Sequence, residues 1–146
     1  MIRLCEVSIR QGTFSLNRVN LSVYPGEYAV LMGKTASGKT TILEAICGLR
    51  PIAAGRITLG DRDVTGLRPA ARGVGYVPQD GCLFSHLTVR EHLAFALVIR
   101  GWSGEAIQRR VEQLADLLGI GRVLDRRPRG LSGGEGQRAA LGRALA

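Results

Sequence analysis

Residues Gly33 to Thr40 read GKTASGKT, which fits the pattern G-x-x-x-x-G-K-[ST]. The chemistry of such a stretch is the holding of a polyphosphate. Backbone N–H groups wrap the phosphate oxygens, and the helix that opens after the loop adds its unpaired donors and its dipole. Gly38 allows close backbone approach, Lys39 reaches the β- and γ-phosphates, and the Thr40 hydroxyl is placed to ligate magnesium. The predicted nucleotide contacts are Gly33, Lys34, Thr35, Ala36, Ser37, Gly38, Lys39, Thr40 and Thr41. Lys34 either helps to hold phosphate or lies in solvent.

Two further stretches carry residues of the right type. VGYVPQD, Val74 to Asp80, places Gln79 just beyond a short apolar run. LSGGEGQR, Leu131 to Arg138, pairs Ser132 with Glu135 in an S-x-x-E capping box, so a helix starts there. A cap alone does not need two glycines. Gly133 and Gly134 leave the first-turn backbone bare, so its N–H groups and positive dipole end can meet an anion.

The elements that must position these residues are legible in the hydropathy pattern. IRLCEVSIR and TFSLNRVNLSVY alternate and predict two antiparallel strands joined at Gln11-Gly12. Tyr28 to Met32, YAVLM, is a continuous apolar run and predicts a buried strand of a parallel sheet. After the phosphate loop, Ile42, Ile46 and Leu49 form a helical stripe, with Gly48 as its C-terminal cap. GRITLG and GVGYV predict two more short strands. From Thr88 the period becomes helical: Thr88 and Glu91 form a T-x-x-E box, and Ser103 starts a helix with Ile107, Val111, Leu114 and Leu118 on one face. The predicted organisation is an α/β nucleotide-binding core over 1–80, then a helical subdomain over 81–146.

The totals agree with a single domain's worth of chain. The 146 residues are 45% hydrophobic and 22% charged, with no apolar run of membrane-spanning length and no signal peptide. Cys5, Cys47 and Cys82 are odd in number and lack CxxC spacing, which predicts reduced thiols and no cysteine metal site. The net charge of +8 suits nucleic acid, anionic lipid or phosphate, but the arginines are scattered and aromatics are only 5%, which argues against a base-stacking platform.

Together, GKTASGKT, VGYVPQD and LSGGEGQR resemble the ATP-binding subunit of ABC transporters, over essentially the whole chain. LFSHLTVREHLAFAL, Leu83 to Leu97, is most similar to bacterial importer ATPases of the molybdate, sulfate and polyamine kind. The resemblance implies a P-loop NTPase (RecA-like) core with N-terminal antiparallel strands and a helical subdomain. It implies ATP and Mg2+ as cofactors. Lys39 and Gln79 would serve catalysis, and Thr40 and Gln79 would serve the metal. Ser132, Gly133, Gly134 and Glu135 would close over the nucleotide of a second ATPase subunit, so that two copies pair head to tail. Residues from about Asp80 to Gly101 would meet an integral membrane permease, itself served by a periplasmic or surface solute-binding protein. The implied place is the cytoplasmic face of the cell membrane, as a peripheral subunit importing a solute such as molybdate or sulfate.

There are departures from the family pattern. Ala36 stands where glycine is usual, Ser85 replaces a proline, and Gly136 replaces glutamine. Adenine stacking is assigned to neither Phe14 nor Tyr24. The Asp-Glu strand and the histidine that complete the family's hydrolytic site do not occur; His86 and His92 match neither. The expectation is that the chain is part of a longer reading frame, and that by itself it binds nucleotide at most. Competing readings are a soluble ABC ATPase acting on ribosomes or nucleic acid, a DNA-repair ATPase and a non-ABC phosphate-loop kinase. The short separation of loop and signature opposes the second, and LSGGE opposes the third.

Overall fold

The alternating segments at the N-terminus form strands, with a bulge in the first where Glu6 turns to φ +52° and the buried spacing steps from Leu4 to Val7. β1 (Ile2–Gln11) and β2 (Phe14–Val23) pair antiparallel, with Gln11 opposite Phe14 across the turn. β3 (Ala54–Leu59) joins the other side of β1 and β4 (Arg62–Asp63) follows it, giving an antiparallel order β2-β1-β3-β4. The computed structural model describes all 146 residues. They fall into two units, Met1–Val74 and Gly75–Ala146.

In the first unit, α1 (Lys39–Cys47) buries Ile42, Ala45 and Ile46 in one core with Leu4, Val7, Ile9, Ile57 and Val64. Gly48 ends it in the left-handed conformation, φ +80°, and its N–H returns to the Ala45 carbonyl. The buried Arg72 fixes the same end of the helix. Its Nη1 donates to the carbonyls of Ala45 (2.8 Å) and Ile46 (3.0 Å), its Nε to Leu67 O (2.9 Å) and its Nη2 to Thr65 O (3.1 Å).

Two expected strands are absent. Tyr28–Met32 and Val74–Val77 have no strand partner, and Tyr28 and Met32 are 93% and 84% exposed. A parallel strand needs a neighbour on at least one side, and the four strands that do form are all in the antiparallel sheet. Leu49, expected on the helical stripe, lies past the Gly48 cap and is exposed.

The second unit is helical: α2 (Val89–Ile99), α3 (Gly104–Leu118) and α4 (Gly133–Leu145). Val89, Leu93, Val111, Leu114, Ala115 and Ala139 make its core, with Ile107 and Leu118 packed at the edge. All three helices begin at a hydroxyl cap, Thr88, Ser103 and Ser132, and the boxes at Thr88–Glu91 and Ser132–Glu135 are both complete.

Backbone N–H bonds from Thr88 and Ser132, reinforced by their hydroxyls, hold the Glu91 and Glu135 carboxyls below the ordinary carboxylate range. Because the folded-state values are depressed, this stabilisation is complete above the unfolded value and is lost as pH falls through the folded one. The melting temperature of the full-length protein should therefore fall steeply below about pH 4.5. The Glu91→Gln/Glu135→Gln double variant should be less stable at neutral pH and show a flatter acid limb. An identical acid limb in thermal melts from pH 7 to 3 would remove this linkage.

Candidate functional site

The loop before α1 is built around Lys39. Its Nζ donates to the carbonyls of Gly33 (2.9 Å) and Lys34 (2.7 Å) and lies 3.5 Å from the Ser37 hydroxyl, so one ammonium spans the loop from end to end. Ser37 N–H donates to Lys34 O (3.2 Å), closing the tip. Gly38, the residue before α1, has φ +94°, and a Cβ there would lie 2.9 Å from both Phe14 and Leu16. Both facts require glycine at this position.

No side chain caps α1, in contrast to the hydroxyl caps of α2, α3 and α4. The first-turn N–H groups of α1 thus face a cavity of about 350 Å3 with no internal acceptor from a cap. Ala36, Ser37, Gly38, Lys39, Thr40 and Thr41 line it. Gly33 and Lys34 contribute through the carbonyls that Lys39 holds, and Thr35 is an exposed residue of the loop.

Gln11 and Phe14 line the same cavity, from the two ends of the β1–β2 turn. The turn lies where the sequence alternation puts it, but its approach to the loop is a tertiary contact that no local pattern marks. Ala36 adopts φ +62°, so alanine stands in the left-handed region at a cost of about 1–2 kcal/mol.

In the second unit, Gln79 and the LSGGE segment share a cavity. Gln79, Asp80, Ser132, Gly133 and Gln137 all line it. The Ser132 hydroxyl accepts from Glu135 N–H (3.3 Å) and donates to the Glu135 carboxylate (2.8 Å), which also accepts from Ser132 N–H (2.8 Å). Arg122 lies 3.5 Å from the other carboxylate oxygen of Glu135 and offsets its charge at the helix start.

Gly133 and Gly134 are exposed. A Cβ at Gly133 would meet nothing within 4 Å, and one at Gly134 only the far end of Arg138, at 3.4 Å. Neither glycine has positive φ. Each costs the helix up to about 1 kcal/mol relative to alanine, and nothing within the chain requires it. The surface at the start of α4 is therefore bare. No group of three or more His, Cys, Asp or Glu is disposed to hold a metal.

The profile described as "ABC transporter" matches residues 16–146. Among curated relatives, the chain is 43% identical to the sn-glycerol-3-phosphate import ATP-binding protein UgpC 3 of Rhizobium etli, over 99% of this chain and 42% of the relative. It is 41% identical to the molybdate/tungstate import ATP-binding protein WtpC of Pyrococcus horikoshii, again over 99% and 42%. It thus spans less than half the length of these relatives. Among solved structures, the dimeric ATP-binding cassette MJ0796 bound to ADP and Pi superposes with a TM-score of 0.87 at 29% identity, covering 100% of this chain and 69% of that one. A second dimeric structure of the same cassette gives 0.88 at 30% identity, with the same coverage. By its three motifs, its fold and this profile, the chain belongs to the ABC transporter ATP-binding family.

Proposed function

We propose that this chain is the nucleotide-binding part of the motor subunit of an ABC importer. The observation that carries the reading is the phosphate loop with its uncapped helix: α1 alone among the four helices lacks a side-chain cap, and Lys39 stands where its donors converge. ATP would replace the loop carbonyls as the partner of Lys39. The loop amides, Ser37, Thr40 and Thr41 would hold the phosphate oxygens, and Phe14 offers the aromatic face nearest the cavity for the base. Magnesium favours a few hard oxygen ligands together with phosphate oxygens, a preference that the exposed Thr40 hydroxyl meets. When bound, the metal neutralises phosphate charge. Gln79 would contact it or the attacking water.

The signature helix is the second half of the proposal. Ser132, Gly133, Gly134 and Glu135 would close over the γ-phosphate held by a second subunit, pairing two copies head to tail. The bare surface at Gly133 and Gly134 supports this, as does the similarity to the dimeric MJ0796 structures. An integral permease and a solute-binding protein would complete the system. The subunit would lie at the cytoplasmic face of the membrane, as a peripheral partner of the permease. No helix of the chain is long and apolar enough to cross a membrane. The two relatives are named for sn-glycerol-3-phosphate and for molybdate or tungstate, which share a tetrahedral oxyanion group. We assign the cargo to oxyanion-bearing solutes. Both are import proteins, which favours import over the ribosome-acting alternative. The test is ATP-dependent pairing of the full-length protein and its loss on Ser132→Arg.

A further inference from the structure

Arg143, near the C-terminal end of α4, holds the turn that follows Gln79. Its Nη1 donates to Cys82 O (2.5 Å) and its Nη2 to Gly81 O (3.0 Å), so the guanidinium grips two successive carbonyls. Its Cζ lies 5.7 Å from the centroid of the Phe84 ring, within cation–π range. Gly81 N–H donates to Pro78 O (3.0 Å), closing a turn with Gln79 inside it. Gly81 and Cys82 are both left-handed, φ +69° and +42°. For cysteine that conformation is strained, and it persists only where the surroundings fix it.

The far side of the turn is fixed as well. Phe84 N–H donates to Nε2 of the fully buried His92 (2.8 Å), and His92 Nδ1 donates to Thr88 O (2.7 Å). This sets the tautomer, since Nε2 must be unprotonated to accept. The two rings stack, with centroids 5.8 Å apart and planes 14° apart. The Phe84 end is thereby anchored on α2, and the Gly81–Cys82 end on α4. Ser132 and Arg143 lie on one unbroken helix, about 16 Å apart along its axis.

We propose that Arg143 is a positioning residue that couples the seating of the signature helix to the position of Gln79. A displacement of α4 by a partner at Ser132 would move the carbonyls of Gly81 and Cys82 with it, and so move Gln79. The inference rests on the role proposed above for Gln79 and the signature. It adds the side chain that links them within one subunit.

The test uses the full-length protein in a Cys5→Ser background, so that Cys82 is the one exposed thiol of this segment. Arg143→Met keeps most of the stem and removes the donors; Arg143→Lys keeps a charge that cannot fork across two carbonyls. Releasing the turn should raise the rate of Cys82 alkylation by iodoacetamide about tenfold in Arg143→Met and less in Arg143→Lys. Losing the nearby positive charge acts in the opposite direction on the thiolate, so acceleration reports the turn. ATP turnover should fall about tenfold in kcat with the nucleotide Kd unchanged. Combined with Gln79→Ala, Arg143→Met should add nothing to the loss from Gln79→Ala alone. Unchanged Cys82 alkylation, or multiplicative losses in the double variant, overturns the coupling alone. Full turnover by Gln79→Ala overturns the role of Gln79 and the coupling with it. Should Arg143→Met not fold, Arg143→Lys carries the same comparisons.

Discussion

Replacing Lys39 by alanine should raise the Kd of the full-length protein for MgATP by about 100-fold or more, since removing one partner of a desolvated charge pair costs about 2–5 kcal/mol. In the proposed function the loop depends on this one side chain. Its ammonium bridges Gly33 O, Lys34 O and the Ser37 hydroxyl, and so both shapes the empty loop and offers the positive charge a triphosphate needs. Alanine removes both at once. The amides at the uncapped start of α1 remain, and they supply the residual affinity. Arginine does not substitute, because a planar fork cannot sit between two carbonyls 2.9 and 2.7 Å from one nitrogen. Titration with a fluorescent ATP analogue decides it: a Kd for Lys39→Ala within about threefold of wild type removes the phosphate loop from the mechanism.

Arg72→Met should lower the stability of the full-length protein by about 3 kcal/mol, because a guanidinium that satisfies several buried carbonyls contributes about 1.5–3 kcal/mol per bond before non-additivity. Burial alone pushes the Arg72 guanidinium down from its ordinary range, and the four carbonyl acceptors offset that desolvation. Two of those carbonyls, Ala45 and Ile46, belong to the last turn of α1, whose first turn lines the phosphate cavity. Arg72 therefore ties the nucleotide helix to the Thr65–Leu67 segment. Its loss leaves the carbonyls of Ile46, Thr65 and Leu67 without this donor. The expected shift in melting temperature is about −6 to −12 °C, with Arg72→Lys recovering less than half, since three donors on one nitrogen cannot reach four acceptors. A shift under about 2 °C would show that water replaces the guanidinium at little cost.

Much of the site was legible because its signals are local. A capping box is four residues long, and both boxes predicted from T-x-x-E and S-x-x-E are present with their reciprocal bonds. The helix after the phosphate loop and its Gly48 cap are likewise written in a short window. The β1–β2 hairpin follows from two alternating runs and one turn. The strand expected at Tyr28–Met32 failed because strand formation is not local. Five apolar residues satisfy the composition of a parallel strand, but the backbone bonds must come from a neighbour, and the sheet that forms is antiparallel and elsewhere.

The residues that tie elements together were invisible for the same reason. Arg72 and Arg143 are two arginines among many in a basic chain, and nothing beside them in sequence marks them. The helix carbonyls that Arg72 holds lie 26–27 residues away, and the turn carbonyls that Arg143 holds lie 61–62 residues away. Gln11 reaches the phosphate cavity only through the fold of its hairpin. The left-handed Ala36 sits between these cases: the sequence showed that alanine stands where glycine is usual, and only the backbone at φ +62° shows that the substitution is strained.

The central claim is that Lys39 and Ser132 belong to two halves of one site, completed in trans. Light scattering of the full-length protein during gel filtration tests it most directly, with hydrolysis slowed by omitting magnesium. The account predicts a monomer without nucleotide and a dimer with ATP. It further predicts that Ser132→Arg, which places a bulky cation at the bare start of α4, binds ATP within about threefold of wild type yet stays monomeric. Dimers of Ser132→Arg formed as readily as wild type would contradict the account, because the signature surface would then be a capped helix end and nothing more.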